Sequence, residues 1–377
     1  MSIFNGPIKE VCLGIYDGPH ATPKEAETGP IFLGIKNVTA DGRLDFSEIR
    51  HVSEQEFQKW TRRVTPKTDD IVFSYEATLH LYGLIPEGFH GCLGRRMALV
   101  RPDPLRVVPR YLHYYFLSPM WKSVITSNVI TGATVDRIPL ARFPDFPVRI
   151  PSLMKQQRIA DTLSSYDDLI ENNRRRIALL EQAARLLYRE WFVHLRFPGH
   201  EHVKVVDGVP EGCIRKPLGE IATLNYGKAL KAENRTPGTV PVYGSSGIVG
   251  TNATALSPGP GVIVGRKGNV GSVYWSSTSF FPIDTVYYID AKLSNLYLYY
   301  ALQHAQFINT DVAVPGLNRD FAHGRELLIP DESLLTSFLE SVTPMHQQID
   351  KLTQYNTKLR EVRDLLLPRL MSGEIEV

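Results

Sequence analysis

Between residues 159 and 191 the apolar positions advance by alternating steps of four and three: Ile159, Leu163, Tyr166, Ile170, Asn173, Ile177, Leu180, Ala184, Leu187 and Trp191. That alternation keeps one stripe of an α-helix apolar over more than four heptads, the pattern of a coiled-coil seam. Pro151-Ser152 before the run and Pro198-Gly199 after it are start and stop signals. The pattern returns at Phe338, Val342, Met345, Ile349, Leu352, Asn356, Leu359, Arg363, Leu366 and Leu370. The shift from 159 to 338, 179 residues, holds for all ten pairs, and it also carries Ile150-Pro151 onto Ile329-Pro330. One register shared by two helices marks an internal duplication.

The match extends upstream with small insertions. "RYLHYYFL" (110–117) resembles "NLYLYYAL" (295–302), "TVDRIP" (134–139) resembles "GLNRDF" (316–321), and "DIVFSYEATL" (70–79) lies on "GVIVGRKGNV" (261–270). The pattern predicts an α+β protein: a globular α/β domain over 1–150, a central helix over 151–197, a second domain over 198–330 and a second helix over 331–377. An apolar seam must be buried. Pairing of the two helices as an antiparallel, pseudo-symmetric coiled coil is the simplest answer, and a coiled coil between chains is the rival. The seam's two asparagines, Asn173 and Asn356, either set the alignment from inside it or face solvent at its edge. A seam of ~33 residues at ~1.5 Å per residue is on the order of 50 Å long.

Composition narrows the function. The chain has 377 residues, 43% hydrophobic and 22% charged, enough for two or three domains with real cores. No apolar run nears the ~18 residues of a membrane span. The opening "MSIFNGPIKEVCLG" lacks the order of a secretory signal, so the cytoplasm is the expected compartment. Cys12, Cys92 and Cys213 form no C-x-x-C pair, and His20, His51, His80, His90 and His113 show no metal spacing. "GVIVGRKG" misses both the spacing and the final Ser/Thr of a phosphate loop, and "YGSSGIVG" is not a dinucleotide fingerprint. Methyltransferase and nuclease motifs are absent too, so a non-catalytic protein is expected. The net charge of +2 neither demands nor excludes nucleic acid. Arg174, Arg175 and Arg176 flank the seam and read as a solvated or partner-facing surface.

This order of elements resembles the specificity subunit of type I restriction-modification enzymes. The local wording that carries the resemblance is "DGPHATP" (17–23), "DIVFSYEATL", "CLGRRMALVRP" (92–102), "ARLLYREWF" (184–192), "PVYGSSGIVG" (241–250), "GRKGNVG" (265–271) and "RDLLLPRLMSGEI" (363–375). The resemblance implies two target-recognition domains, each reading half of a divided sequence in double-stranded DNA. It implies helices that act as spacer and as dock for two methyltransferase (modification) subunits, with restriction/translocase subunits joining that core. S-adenosylmethionine, ATP and Mg would belong to those partners, leaving no cofactor, metal or membrane contact to this chain.

Within the duplicated frame, positions that differ are the candidates for reading DNA. Tyr75 and Glu76 fall where the other half has Arg266 and Lys267. Arg and Lys can donate to guanine O6/N7 and Glu can accept from cytosine N4, although Glu could equally cap a turn and Arg or Lys could hold phosphate alone. Further candidates are His20 and Thr22 in a loop of turn formers, Lys36 and Asn37 after a short strand, and Arg95 and Arg96 before "MALVR". In the second half they are Tyr243, Ser245 and Ser246 in a Gly-rich loop, and Asn269. Arg137 and Arg319 are expected at equivalent places, holding phosphate or the domain–helix junction. A protein-binding adaptor with two heads on a rod is the alternative function.

Overall fold

The computed structural model describes residues 3–132, 135–305, 307 and 316–377. Thr134 of the "TVDRIP" segment and Met1 and Ser2 of the opening lie outside them. The chain forms two compact units, one of residues up to 171 together with 356–377, the other of residues 172–355.

In the first unit an antiparallel sheet has the order Cys12–Asp17, Met97–Pro102, Ile71–Ser74, Tyr82–Leu84. Ile71–Ser74 is buried along its whole length, which explains why it reads as an apolar run rather than an alternation. A smaller sheet sets Ala26–Leu33 antiparallel to Arg50–His51 and parallel to Gly91–Leu93. A ribbon pairs Phe4–Pro7 with Pro147–Ile150, joining the two ends of the α/β head. Helix Pro109–Leu117 begins with proline, whose missing N–H costs nothing at that position. It buries Tyr111, Tyr115 and Phe116 against Trp121, whose ring stacks on Phe116 at 4.8 Å and donates to the Tyr82 hydroxyl at 3.1 Å.

The second unit repeats this plan. Its sheet runs Asn225–Tyr226, Val286–Ile289, Gly261–Gly265, Val273–Ser276, again antiparallel. Val240–Gly244 lies antiparallel to Gly247–Asn252 and parallel to Phe281–Pro282. The ribbon pairs Ile214–Pro217 with Glu326–Ile329. Ile150 and Ile329, matched by the sequence shift, face the first residue of the opposite strand in their respective ribbons. The duplication is therefore written in the hydrogen-bond ladders.

Two long helices, Leu153–Tyr188 and Glu332–Ser372, each pass from one unit into the other. The first ends in a π-turn, Arg189–Val193, closed by the His194 N–H on the Arg189 carbonyl at 2.9 Å. Within each unit the two helices run antiparallel. In the first, Asp167 meets Arg363 while Ile170 meets Asn356; in the second, Trp191 and Tyr188 pack on Phe338. Every seam position is buried or half-buried, while Leu169, Leu179, Leu186 and Leu365, off the seam, are exposed. Asn356 is inside: it is 2% exposed and its amide donates to the Ile170 carbonyl at 3.3 Å. Asn173 is half-buried.

Neither unit coincides with a stretch of globular sequence alone. Leu367, Leu370 and Met371 join the core of the first unit, and Ala184, Tyr188, Phe338 and Val342 that of the second. No helix among the described residues is long and apolar enough to cross a membrane.

His346 offers a pH test of the second core. It lies within hydrogen-bond distance of the Tyr300 hydroxyl (2.6 Å) and packs beside Trp275 and Tyr299, in a cavity that also holds Glu181, Arg185 and Asp350. Burial pushes its pKa down from 6.5 to about 4. The unfolded chain therefore takes up this proton more readily than the folded one. The stabilisation is complete above about pH 6.5 and is lost as pH falls from there through 4. Thermal melts across that window should show a steeper acid decline of Tm in the wild type than in His346→Gln; parallel declines would contradict it.

Candidate nucleic-acid interface

In the first head the inner strand Ile71–Ser74 delivers Tyr75 and Glu76 at its C-terminal end, on one rim of the sheet. The Tyr75 N–H donates to Arg96 O at 3.2 Å, Tyr75 O accepts from Ile138 N at 2.8 Å, and Glu76 forms an antiparallel bridge with Arg137. Three chain segments meet there. Arg96 adopts a left-handed backbone (φ 69°) and sets its Nε 3.3 Å from Glu76 Oε2. The next loop joins through His20, whose Nδ1 lies 3.3 Å from the Tyr75 hydroxyl and whose Nε2 lies 3.1 Å from Asp17 Oδ2. Arg63 pairs with the same carboxylate and donates to Gly18 O at 3.1 Å. Asp17, His20, Trp60, Arg62 and Arg63 line a cavity of about 300 Å³. Burial, followed by the Glu76 and Asp17 charges, raises the Tyr75 phenol's pKa. In this head Arg63, His20 and Arg96 each face a carboxylate.

In the second head the inner strand Gly261–Gly265 delivers Arg266 and Lys267 at the equivalent rim of its sheet. Arg266 N donates to Thr285 O at 2.9 Å, Arg266 O accepts from Leu317 N at 2.8 Å, and Lys267 bridges Gly316. The Arg266 side chain donates from Nη1 to Asp284 O at 3.1 Å, and its guanidinium carbon stands 4.9 Å from the centre of the Tyr226 ring. Arg319 stands 5.2 Å from the same ring. Tyr226 is 48% exposed and packs edge-on against Tyr287 at 5.1 Å. Burial, then the hydrogen bond with Tyr226, pushes the Tyr287 pKa up to about 12. Asn318 caps the short helix Arg319–His323 by accepting from Asp320 N and Phe321 N. His323 Nε2 in turn accepts from Leu224 N at 3.0 Å, tying that helix to the Tyr226 strand. Lys267 and Asn269 are exposed on a turn that Gly268 and Gly271 make with positive φ, and Ser246 is exposed on the hairpin turn before Gly247, also at positive φ.

The ladders give the correspondence between heads. Tyr75 matches Arg266 and Glu76 matches Lys267, since Ile138 and Leu317 donate to the first pair and Arg137 and Gly316 bridge the second. Asp17 pairs with Ala98 as Tyr226 pairs with Tyr287, and Ala98 and Tyr287 sit opposite Phe73 and Val264, each two residues before the matched pair. Asp17 and Tyr226 are therefore equivalents that sequence reading missed. Short strands with different side chains gave no signal to align them.

Three expectations are corrected. Arg137 and Arg319 are not equivalent: Arg137 occupies the place of Gly316, and a shared arginine within two short motifs misled the alignment by three residues. Asn37 is 3% exposed, accepts from Gly34 N (3.0 Å) and donates to Asp45 O (3.0 Å) and Glu48 O (2.9 Å), so it staples its own loop. Tyr243 is a core residue, edge-on to Phe280, with its hydroxyl donating to Trp275 O at 3.3 Å. Of the remaining candidates, Lys36 pairs with Glu48 at 3.2 Å, Thr22 and Arg95 are exposed, and the Ser245 carbonyl accepts from the Tyr274 hydroxyl and Ser272 Oγ. Among the described residues no group of three or more His, Cys, Asp or Glu is placed to hold a metal ion.

Comparisons with known proteins agree with this architecture. The sequence family described as type I restriction modification DNA specificity domain matches residues 26–182 and 210–319. The type I restriction enzyme MjaIX specificity subunit of Methanocaldococcus jannaschii is 23% identical over 362 residues, covering 87% of this chain and 82% of that protein. The HindI specificity subunit of Haemophilus influenzae is 23% identical over 378 residues, covering 74% and 80%. The crystal structure of a type I restriction-modification S subunit from M. genitalium has the same fold, with a TM-score of 0.56 at 17% identity, covering 98% of this chain and 96% of that one.

The loop staple makes a direct prediction. Asn37→Ala strands the buried groups that its amide satisfies, at about 1–3 kcal/mol. Denaturant unfolding should show the first unit destabilised by that amount; an unchanged midpoint would return Asn37 to the list of surface groups.

Proposed function

The chain belongs to the type I restriction modification DNA specificity domain family, two of whose domain regions it carries, and we propose that its two α/β heads read the two halves of a divided DNA sequence. The observation that carries this reading is the pairing of a constant frame with different residues at matched rim positions: Asp17, Tyr75 and Glu76 in one head, Tyr226, Arg266 and Lys267 in the other. Two readers of one design with different rims select different bases, because base edges differ in donors and acceptors. The frame itself contributes position.

The long helices, in the same reading, space the heads and dock two methyltransferase subunits, to which restriction/translocase subunits add. Exposed Leu169, Leu179, Leu186 and Leu365 lie outside the seam and supply apolar surface for such docking. Methyl transfer and cleavage, with S-adenosylmethionine, ATP and Mg, fall to those subunits, and this chain contributes recognition without catalysis. The cytoplasm is where such a complex meets DNA.

Selection from a random duplex pool by the chain assembled with its methyltransferase subunit tests this. Two short specified blocks separated by an unspecified gap are expected. Retention of DNA with no specified bases, or no retention at all beside specific capture of another protein, would favour an adaptor instead.

A further inference from the structure

We propose that Tyr226 is the positioning residue of the second head, fixing the Arg266 guanidinium so that it reads a guanine in that head's half-site, with Arg319 sharing the ring. The inference rests on the two-headed reading above and names the chemistry of one head.

Three observations carry it. The first is immobilisation. Arg266 is tied at its backbone N–H, at its carbonyl and at one guanidinium nitrogen, and the Tyr226 ring covers its face. A planar fork so held keeps its remaining N–H groups in one direction. A fork so held matches the paired O6/N7 acceptors of guanine, and it would suit a phosphate as well, so the two are separated by the salt titration below. The second is uncompensated charge. Arg266 and Arg319 share one ring and so lie within about 10 Å of each other. That upper bound slightly exceeds the ~8 Å Debye length of physiological salt, so like-charge repulsion is weakened there and strengthens as salt is lowered. Among the described residues neither pairs with a carboxylate, so an electron-rich partner such as the two-acceptor edge of guanine would relieve the repulsion. The third is the contrast between heads. The residue equivalent to Tyr226 is Asp17, which spends its charge on Arg63 and His20. The first head thus has a carboxylate that pairs with Arg63 and His20 at the position where the second head has an exposed tyrosine with two arginines on its ring.

Target selection should be run on the chain assembled with its methyltransferase subunit, for the wild type, Tyr226→Phe and Tyr226→Leu, each with a salt titration. The wild-type half-site of the second head is expected to specify guanine. Tyr226→Leu should lower discrimination at that guanine by about tenfold, within the range of a bidentate contact, and leave the first half-site unaltered. Tyr226→Phe, which keeps the ring, should retain it. A guanine-free second half-site, or unchanged discrimination in Tyr226→Leu, overturns the proposal. So does even weakening over all sequences with the salt slope reduced by about one, which would mean a phosphate contact only. A wild-type complex that selects no divided sequence overturns the two-head reading itself, a result separable from loss of the Tyr226 role alone.

Discussion

An apolar stripe on a helix cannot remain in water, and everything in this chain is arranged around burying two of them. Each long helix is apolar along one seam and polar elsewhere, and each unit buries a length of both against its own α/β head. The consequence is a fold of long sequence separation. The first head is completed by Leu367, Leu370 and Met371, more than two hundred residues away from most of the core they join. Such contacts are slow to form, since loop closure precedes any gain from burial.

Two polar interruptions of the seam give the pairing its alignment. Asn356 is buried and satisfied by a carbonyl of the other helix. Arg363 stands where the first helix has Ala184, and its guanidinium meets Asp167, which also accepts from the Tyr114 hydroxyl, and Asp364. A buried charge tolerates only the alignment that supplies its partners. The apolar residues provide the burial, and these two restrict it to one register.

Much of this was legible from the sequence because helical periodicity is a local signal. Ten seam positions spaced by alternating steps of four and three, repeated in the second helix, marked both helices, their shared register and the duplication, and Ile150 and Ile329 fell on equivalent ladder positions as the shift required. The site was less legible. Tyr75 with Arg266 and Glu76 with Lys267 were matched across the heads because they follow alignable apolar strands. Asp17 and Tyr226 were missed because their strands are matched only by pairing with distant partners. Asn37 and Tyr243 looked like surface groups because polarity and aromaticity in a loop do not reveal which way a side chain faces. The equation of Arg137 with Arg319 failed because one shared residue cannot fix a register.

The 356–372 stretch of the second helix is part of the first unit's core rather than an appendage to it. Leu370, 1% exposed there, is the residue to test. Leu370→Asp buries an unpaired carboxylate or expels the segment, and hydrogen exchange read segment by segment reports which elements follow. Loss of amide protection in Ile71–Ser74 and Pro109–Leu117, with protection kept in Gly261–Gly265, is the predicted result. Fraying confined to the end of the second helix, with the first head fully protected, would contradict it and make residues 1–150 a self-sufficient domain.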